Sequence, residues 1–138
     1  MEKIEWRDVV GFESHYEASN TGLIKRKFGQ TIYKDGRVAY FSETILKPSL
    51  CKKGYLRVYL SIGSKKHTKR IHRLIALTFV ENPDKKETVN HIDCNKLNNH
   101  VSNLEWMTNQ ENMRHAFDNG MYKDRDKIRK LYKNKKCS

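Results

Sequence analysis

Cysteine is scarce in this sequence and long apolar runs are missing. Three cysteines in 138 residues (Cys51, Cys94 and Cys137), odd in number and without a Cys-x-x-Cys pair, exclude a disulfide framework and an ordinary zinc ribbon. The longest nearly apolar run, Leu74 to Val80, falls far short of the roughly 20 residues that cross a bilayer. The charged opening Met1-Glu2-Lys3-Ile4-Glu5 lacks the pattern of a signal peptide. A reduced, cytoplasmic protein with no membrane partner is expected. Hydrophobic residues make up 37% of the chain, and counting the seven glycines gives an apolar share of about 42%, below the roughly 45–50% of an average soluble domain. The core must be modest, and the length suits one compact domain with a small appendage.

Acidic residues are also in deficit: 16 Asp and Glu face 28 Lys and Arg, a net charge of +12. The excess is unevenly placed. Residues 1–51 carry +1, 52–73 carry +8, 74–80 are neutral, 81–120 carry −3 and 121–138 carry +6. Concentrated Lys and Arg form the electrostatic footprint of a nucleic-acid binder, because each neutralised phosphate releases condensed counterions.

The N-terminal third reads as short strands and turns. Ile4–Arg7 and Val9–Phe12 alternate weakly, Tyr16–Ser19 runs into the turn Asn20-Thr21-Gly22, and Leu23–Arg26 follows. Trp6, Phe12 and Tyr16 are expected to form a small aromatic core. Thr31–Tyr33 and Val38–Phe41 flank a turn and predict a hairpin. A second hairpin is clearer. In Tyr55–Ser61 the period is two, with Leu56, Val58 and Leu60 on one face and Tyr55, Arg57 and Tyr59 on the other. A turn at Ile62–Lys65 then returns the chain through Lys66–Ile71. This ribbon carries Arg57, Tyr59, Lys65, Lys66, Lys69 and Arg70, with Arg73 just beyond, and a two-stranded ribbon fits the major groove of DNA. His72–Phe79 predicts a short helix that buries Leu74, Leu77 and Ile75 or Phe79 and stops at Asn82-Pro83. His72 is expected to make a polar contact at the start of that helix.

Composition changes again after Thr88. Residues 90–119 contain eight asparagines, too many for a strand or helix interior, and they predict a long loop held by side-chain amides. Thr88–His91 enters the loop as a strand and Leu104–Met107 leaves it as another. Thr108 and Glu111 form a capping-box pattern for a following helix, which Asn119-Gly120 ends. Asn112 and His115 share one face of that helix. The unit is ββα.

The run Asn90-His91-Ile92-Asp93-Cys94-Asn95-Lys96-Leu97-Asn98-Asn99, followed by Ser102–Trp106 and Asn109–Asn112, resembles the ββα-metal motif of HNH endonucleases, closest to the phage and intron homing type. Trp6–Gly22 resembles the NUMOD4 module that often precedes that motif. With His72-Arg73-Leu74 between them, the two matches cover roughly residues 4–120. The resemblance implies an α+β fold. Residues 1–50 would form a small antiparallel β module, 51–120 the HNH (His-Me finger) nuclease core with its basic hairpin, and 121–138 a basic tail.

The resemblance also implies roles, residue by residue. His91 would be the general base that deprotonates water, and an imidazole with an ordinary pKa near 6.5 suits that task. Asn103 would pin the loop and help to orient His91. Asn90 and Asn112 would hold one divalent metal, magnesium first and manganese as the alternative, since both accept hard oxygen donors. Asp93, His115 and His72 stand nearby as assisting groups. Two positions depart from the family pattern. Asn90 stands where some relatives have aspartate, so the metal site should be weak without DNA. Cys94 stands where glycine is common, so either the loop is strained there or Asn95 takes the left-handed conformation instead.

The implied function is hydrolysis of double-stranded DNA to 5′-phosphate and 3′-hydroxyl ends, by a phage-type protein working in a bacterial cytoplasm. One centre predicts a monomer that nicks one strand, and a double-strand break would need two copies. The alternative is a DNA-binding module of the same fold with weak or no cleavage. An RNA-binding reading follows from basicity alone and explains the asparagine-rich unit poorly. Arg125–Tyr132 in the tail is expected to become helical on a phosphate backbone.

Overall fold

The structure, a computed structural model, describes residues 2–63 and 65–120, so the expected tail helix lies outside the described residues. Eleven described strands, nine of them before the first of two α-helices, make an α+β arrangement. Strands β1 (Trp6–Asp8), β2 (Tyr16–Ser19), β3 (Ile24–Arg26) and β6 (Thr44–Ile45) form one antiparallel sheet in that order. Between β3 and β6 the chain projects a hairpin, β4 (Gly29–Ile32) with β5 (Val38–Phe41). Strands β7 (Ser49–Leu50), β8 (Leu56–Ile62) and β9 (Lys65–Arg70) make a second sheet, followed by α1 (Ile71–Phe79). The ββα unit is β10 (Thr88–His91), β11 (Leu104–Met107) and α2 (Asn109–Asp118).

Val9–Phe12 is a turn rather than a strand. Gly11 has φ +84°, a backbone that L side chains rarely adopt, and the amide of Phe12 bonds back to the carbonyl of Val9. The turn drops Val9 and Phe12 into the core. Phe12 and Tyr16 meet edge to face at 6.3 Å. Trp6 is not in that core: it is half-buried, with the Lys25 ammonium 4.3 Å above its ring.

One buried cluster joins the N-terminal sheet to the rest. Tyr16, Ala18 and Ile24 pack with Val58 and Leu60 of β8, with Ile71, Leu74, Ile75 and Ala76 of α1, and with Val89 and Leu104 of the ββα unit. The Tyr16 hydroxyl fastens two sheets by accepting the Ser61 amide at 2.8 Å. Leu77, expected inside, is 50% exposed. The buried stripe of α1 is Ile71, Leu74 and Ile75, which satisfies an i, i+3, i+4 pattern and turns Leu77 outward. The Trp106 indole donates to the Val80 carbonyl at 3.0 Å, tying β11 to the end of α1.

The expected capping box is present. Thr108 Oγ1 accepts the Glu111 amide at 3.1 Å, and Glu111 Oε2 accepts the Thr108 amide at 2.9 Å. Lys86 adds an ion pair to Glu111 at 3.2 Å. These contacts fix where α2 starts and therefore where Asn112 sits.

Candidate active site

The loop between β10 and β11 is held by amides, as the asparagine content implies. Asn103 donates to Asp93 Oδ1 at 2.8 Å and to the Asn98 carbonyl at 2.9 Å, while its own oxygen accepts the Asp93 amide at 3.0 Å. Asp93 also accepts from Asn98 and from the Asn95 amide. Those bonds, Asn98 first, hold its carboxyl below the usual range. Asp93 is thus a loop fastener, and it does not line the cavity described below.

His91 ends β10 and is 5% exposed. Its Nε2 lies 2.9 Å from Asn99 Oδ1. An amide oxygen can only accept, so Nε2 carries the proton and Nδ1 keeps its lone pair. The side chain bonded to His91 is therefore Asn99, while the Asn103 side chain is bonded within the loop, to Asp93 and Asn98. Burial pushes the His91 imidazole below its ordinary value. The Asn99 bond and the Asp93 charge oppose that shift, and Lys96 adds to it. The ring is neutral at pH 7 and can accept a proton.

Asn99 is positioned from a distance. Gly22 has φ +97°, and a Cβ there would stand 2.9 Å from the Asn99 carbonyl oxygen. The adjoining Val101 amide donates to the Asn20 carbonyl at 2.9 Å. The turn after β2 is the surface against which the loop rests.

A cavity of about 520 Å³ opens beside His91, lined also by Asn90, Asn112, Cys94, Lys96 and Tyr55. Asn90 comes from β10 and Asn112 from α2, so strand and helix bring the two expected metal-holding amides to one cavity. Among the described residues no three His, Cys, Asp or Glu side chains cluster as a metal cage. Asn90 and Asn112 offer amide oxygens, hard donors that fit a largely hydrated ion such as magnesium or manganese.

His72 and His115 do not line this cavity. His115 instead faces Cys94, with Nδ1 and Sγ 3.9 Å apart. His72 makes no polar contact at the helix start: its Nδ1 is buried without a partner. The ring lies between Tyr55, 4.8 Å away and nearly parallel, and His91, 5.0 Å away. Burial, the neighbouring His91 ring, Arg70 and Arg73 lower its pKa to about 3. Cys94 itself takes the left-handed conformation, φ +63°. The strain anticipated for the loop is located there and not at Asn95.

The ribbon cations divide between two faces. Cross-strand partners share a face, so Arg57 with Arg70, Tyr59 with Thr68, and Ser61 with Lys66 point outward. Lys69 and Lys65 oppose Val58 and Ile62 on the other side, and Lys69 reaches over the Phe12 ring at 6.0 Å. Arg70 and Lys96 both sit over Tyr55, at 4.8 and 4.7 Å, which places two cations beside the His91 cavity. Arg73 is exposed on α1 and donates to the Glu87 carbonyl at 3.3 Å. Asn99, Lys96, Tyr55 and Glu105, which bonds Asn90 at 3.0 Å, were not singled out by sequence reasoning. Glu105 becomes visible once β10 is paired with β11.

The chain matches the HNH endonuclease family over residues 69–114 and the NUMOD4 motif over residues 5–61. It is 40% identical over 119 residues to an uncharacterised HNH endonuclease of Acanthamoeba polyphaga mimivirus, covering 86% of this chain and 32% of that protein. It is 36% identical over 118 residues to the DNA endonuclease I-HmuI of Bacillus phage SP01, covering 85% of this chain and 60% of that one. It therefore spans less than two thirds of the length of either curated relative. A solved structure of DNA binding and cleavage by the HNH homing endonuclease I-HmuI has a similar fold, with TM-score 0.70, 34% identity, and coverage of 96% of this chain and 68% of that one. No described helix is long and apolar enough to cross a membrane.

Proposed function

This chain belongs to the HNH homing endonuclease family, and from that premise we propose that it is a metal-dependent endonuclease that nicks double-stranded DNA as a monomer. The observation that carries this reading is the buried His91–Asn99 bond at 2.9 Å, beside a cavity that Asn90 and Asn112 also line.

His91 Nδ1 takes a proton from water as the water oxygen bonds to phosphorus and the bond from phosphorus to the 3′ oxygen breaks. The products are a 5′-phosphate and a 3′-hydroxyl, the latter completed by a proton from solvent. Asn99 holds the base in its reactive tautomer, and Asn103 keeps the loop from moving it. Asn90 and Asn112 would hold the divalent ion, magnesium or manganese, which supplies charge stabilisation at the leaving oxygen when bound. Lys96 and Arg70, both over Tyr55, add positive charge where a scissile phosphate would lie. Arg57, Tyr59, Lys66 and Arg70 on one ribbon face, Lys65 and Lys69 on the other, and Arg73 beyond them contact the duplex. Residues 1–50 would act as a β module, 51–120 as the nuclease core and 121–138 as a basic tail, in a phage-type protein working within a host cell.

Nicking of supercoiled plasmid with Mg²⁺, with Mn²⁺ and with chelator tests the reading, His91→Ala serving as the inactive comparison. Wild type should produce open circles with either metal and none with chelator. If wild type and His91→Ala both bind the plasmid and leave it supercoiled, the protein is a DNA-binding module without cleavage.

A further inference from the structure

Two neutral amides make a weak seat for a divalent cation, and the structure holds a carboxylate directly behind one of them. Asn90 and Glu105 are opposite partners in the β10–β11 ladder. Asn90 is 6% exposed, and its Nδ2 donates to Glu105 Oε1 at 3.0 Å. We propose that Glu105 is a positioning residue that supplies, through the Asn90 amide, the negative charge the metal seat otherwise lacks. The inference rests on the reading that Asn90 and Asn112 hold the ion.

Two physical effects support it. An amide facing a carboxylate is fixed in one orientation, because only its NH₂ end can donate and its oxygen would be repelled. Glu105 therefore decides that the Asn90 oxygen is the atom left for the cavity. Donation to a charged acceptor also draws electron density toward the amide oxygen, and this part-buried bond is screened less than one in water. The pair behaves toward a cation as a carboxylate split across two side chains. In the ladder the two side chains stand on one face of the sheet, so no movement of the loop is needed to keep them together.

Manganese binding to the 138-residue chain, read from the electron paramagnetic resonance of the free ion, separates charge from structure. Glu105→Gln keeps an acceptor for the Asn90 amide but removes the charge, and it should weaken Mn²⁺ binding by about 10–100-fold, the usual effect of losing a group behind a ligand. The double variant N90D/E105Q moves the charge from one side chain to the other and should restore binding to within about threefold of wild type, on the same principle. Asn112→Ala monitors the underlying reading. If Asn112→Ala loses Mn²⁺ while Glu105→Gln keeps it, Glu105 has no such role and the metal seat stands. If the double variant binds as poorly as Glu105→Gln, charge is not what Glu105 supplies and the proposal fails. If Asn112→Ala binds like wild type, the seat itself is misplaced.

Discussion

His91 Nε2 and Asn99 Oδ1 form a buried hydrogen bond of 2.9 Å, which selects the tautomer with a free Nδ1. Replacing Asn99 by Ala frees the ring to rotate and to exchange tautomers. Cleavage should fall by about 10–100-fold, the usual cost of removing a group that orients an active-site histidine. DNA binding in a gel-shift assay should be unchanged. Unaltered nicking by Asn99→Ala would mean that the bond is incidental to catalysis.

Gly22 tolerates no side chain. Its φ of +97° and the 2.9 Å approach of the Asn99 carbonyl to any Cβ combine backbone strain with a steric overlap against main chain. Gly22→Ala should lose about 2–3 kcal/mol of stability, measured by urea unfolding. Because the displaced residue is Asn99, nicking under folding conditions should fall as well. A stable, fully active Gly22→Ala protein would contradict the arrangement.

Cys94 at φ +63° is a non-glycine residue in left-handed backbone, which costs roughly 1–2 kcal/mol. Cys94→Gly removes that cost while adding flexibility to the unfolded chain. A net gain of about 0.5–1 kcal/mol is expected, visible as a rise of a few degrees in Tm. A lower Tm would show that the Cys94–His115 contact stabilises more than the strain costs.

His72 links stability to pH. Its folded-state pKa of about 3 lies below the unfolded value near 6.5, so the unfolded chain binds the proton more readily. The contribution is fully present above about pH 6.5 and is lost as pH falls toward about 3. The groups around the ring are Tyr55, His91, Arg70 and Arg73, and none is an anion that could pair with an imidazolium. Between pH 7 and pH 5 the loss from this group should be about 2 kcal/mol. His72→Phe should abolish that part of the slope in urea unfolding at the two pH values. An unchanged slope would move the acid sensitivity elsewhere.

Much of the ββα unit was legible because its signals are local. Thr108 and Glu111 lie one helical turn apart, and the strands on either side of the loop end where asparagine takes over. The resemblance to the family drew attention to Asn90 and Asn112, which line one cavity. The partner of His91 was not legible. Eight asparagines offer similar chemistry, and only the folded loop decides that Asn103 is spent on Asp93 while Asn99 reaches the ring. Leu77 and Trp6 were misjudged for a related reason. Both are apolar by type, but α1 needs only one narrow stripe inside, and Trp6 is covered by Lys25 rather than by core. His72 looked like a polar helix start because the ring stack around it depends on Tyr55 and His91, far from it in sequence.

The bond from the Val101 amide to the Asn20 carbonyl carries an implication for the order of assembly. Domains fold as units, and one core joins the Asn20–Gly22 end of the chain to the ββα unit, so the turn and the loop that rests on it are completed together. The His91–Asn99 bond forms only when residues 99–101 close against that turn. A chain cut before Asn99 would keep His91 but lose its hydrogen-bond partner and the contact with the Asn20–Gly22 turn.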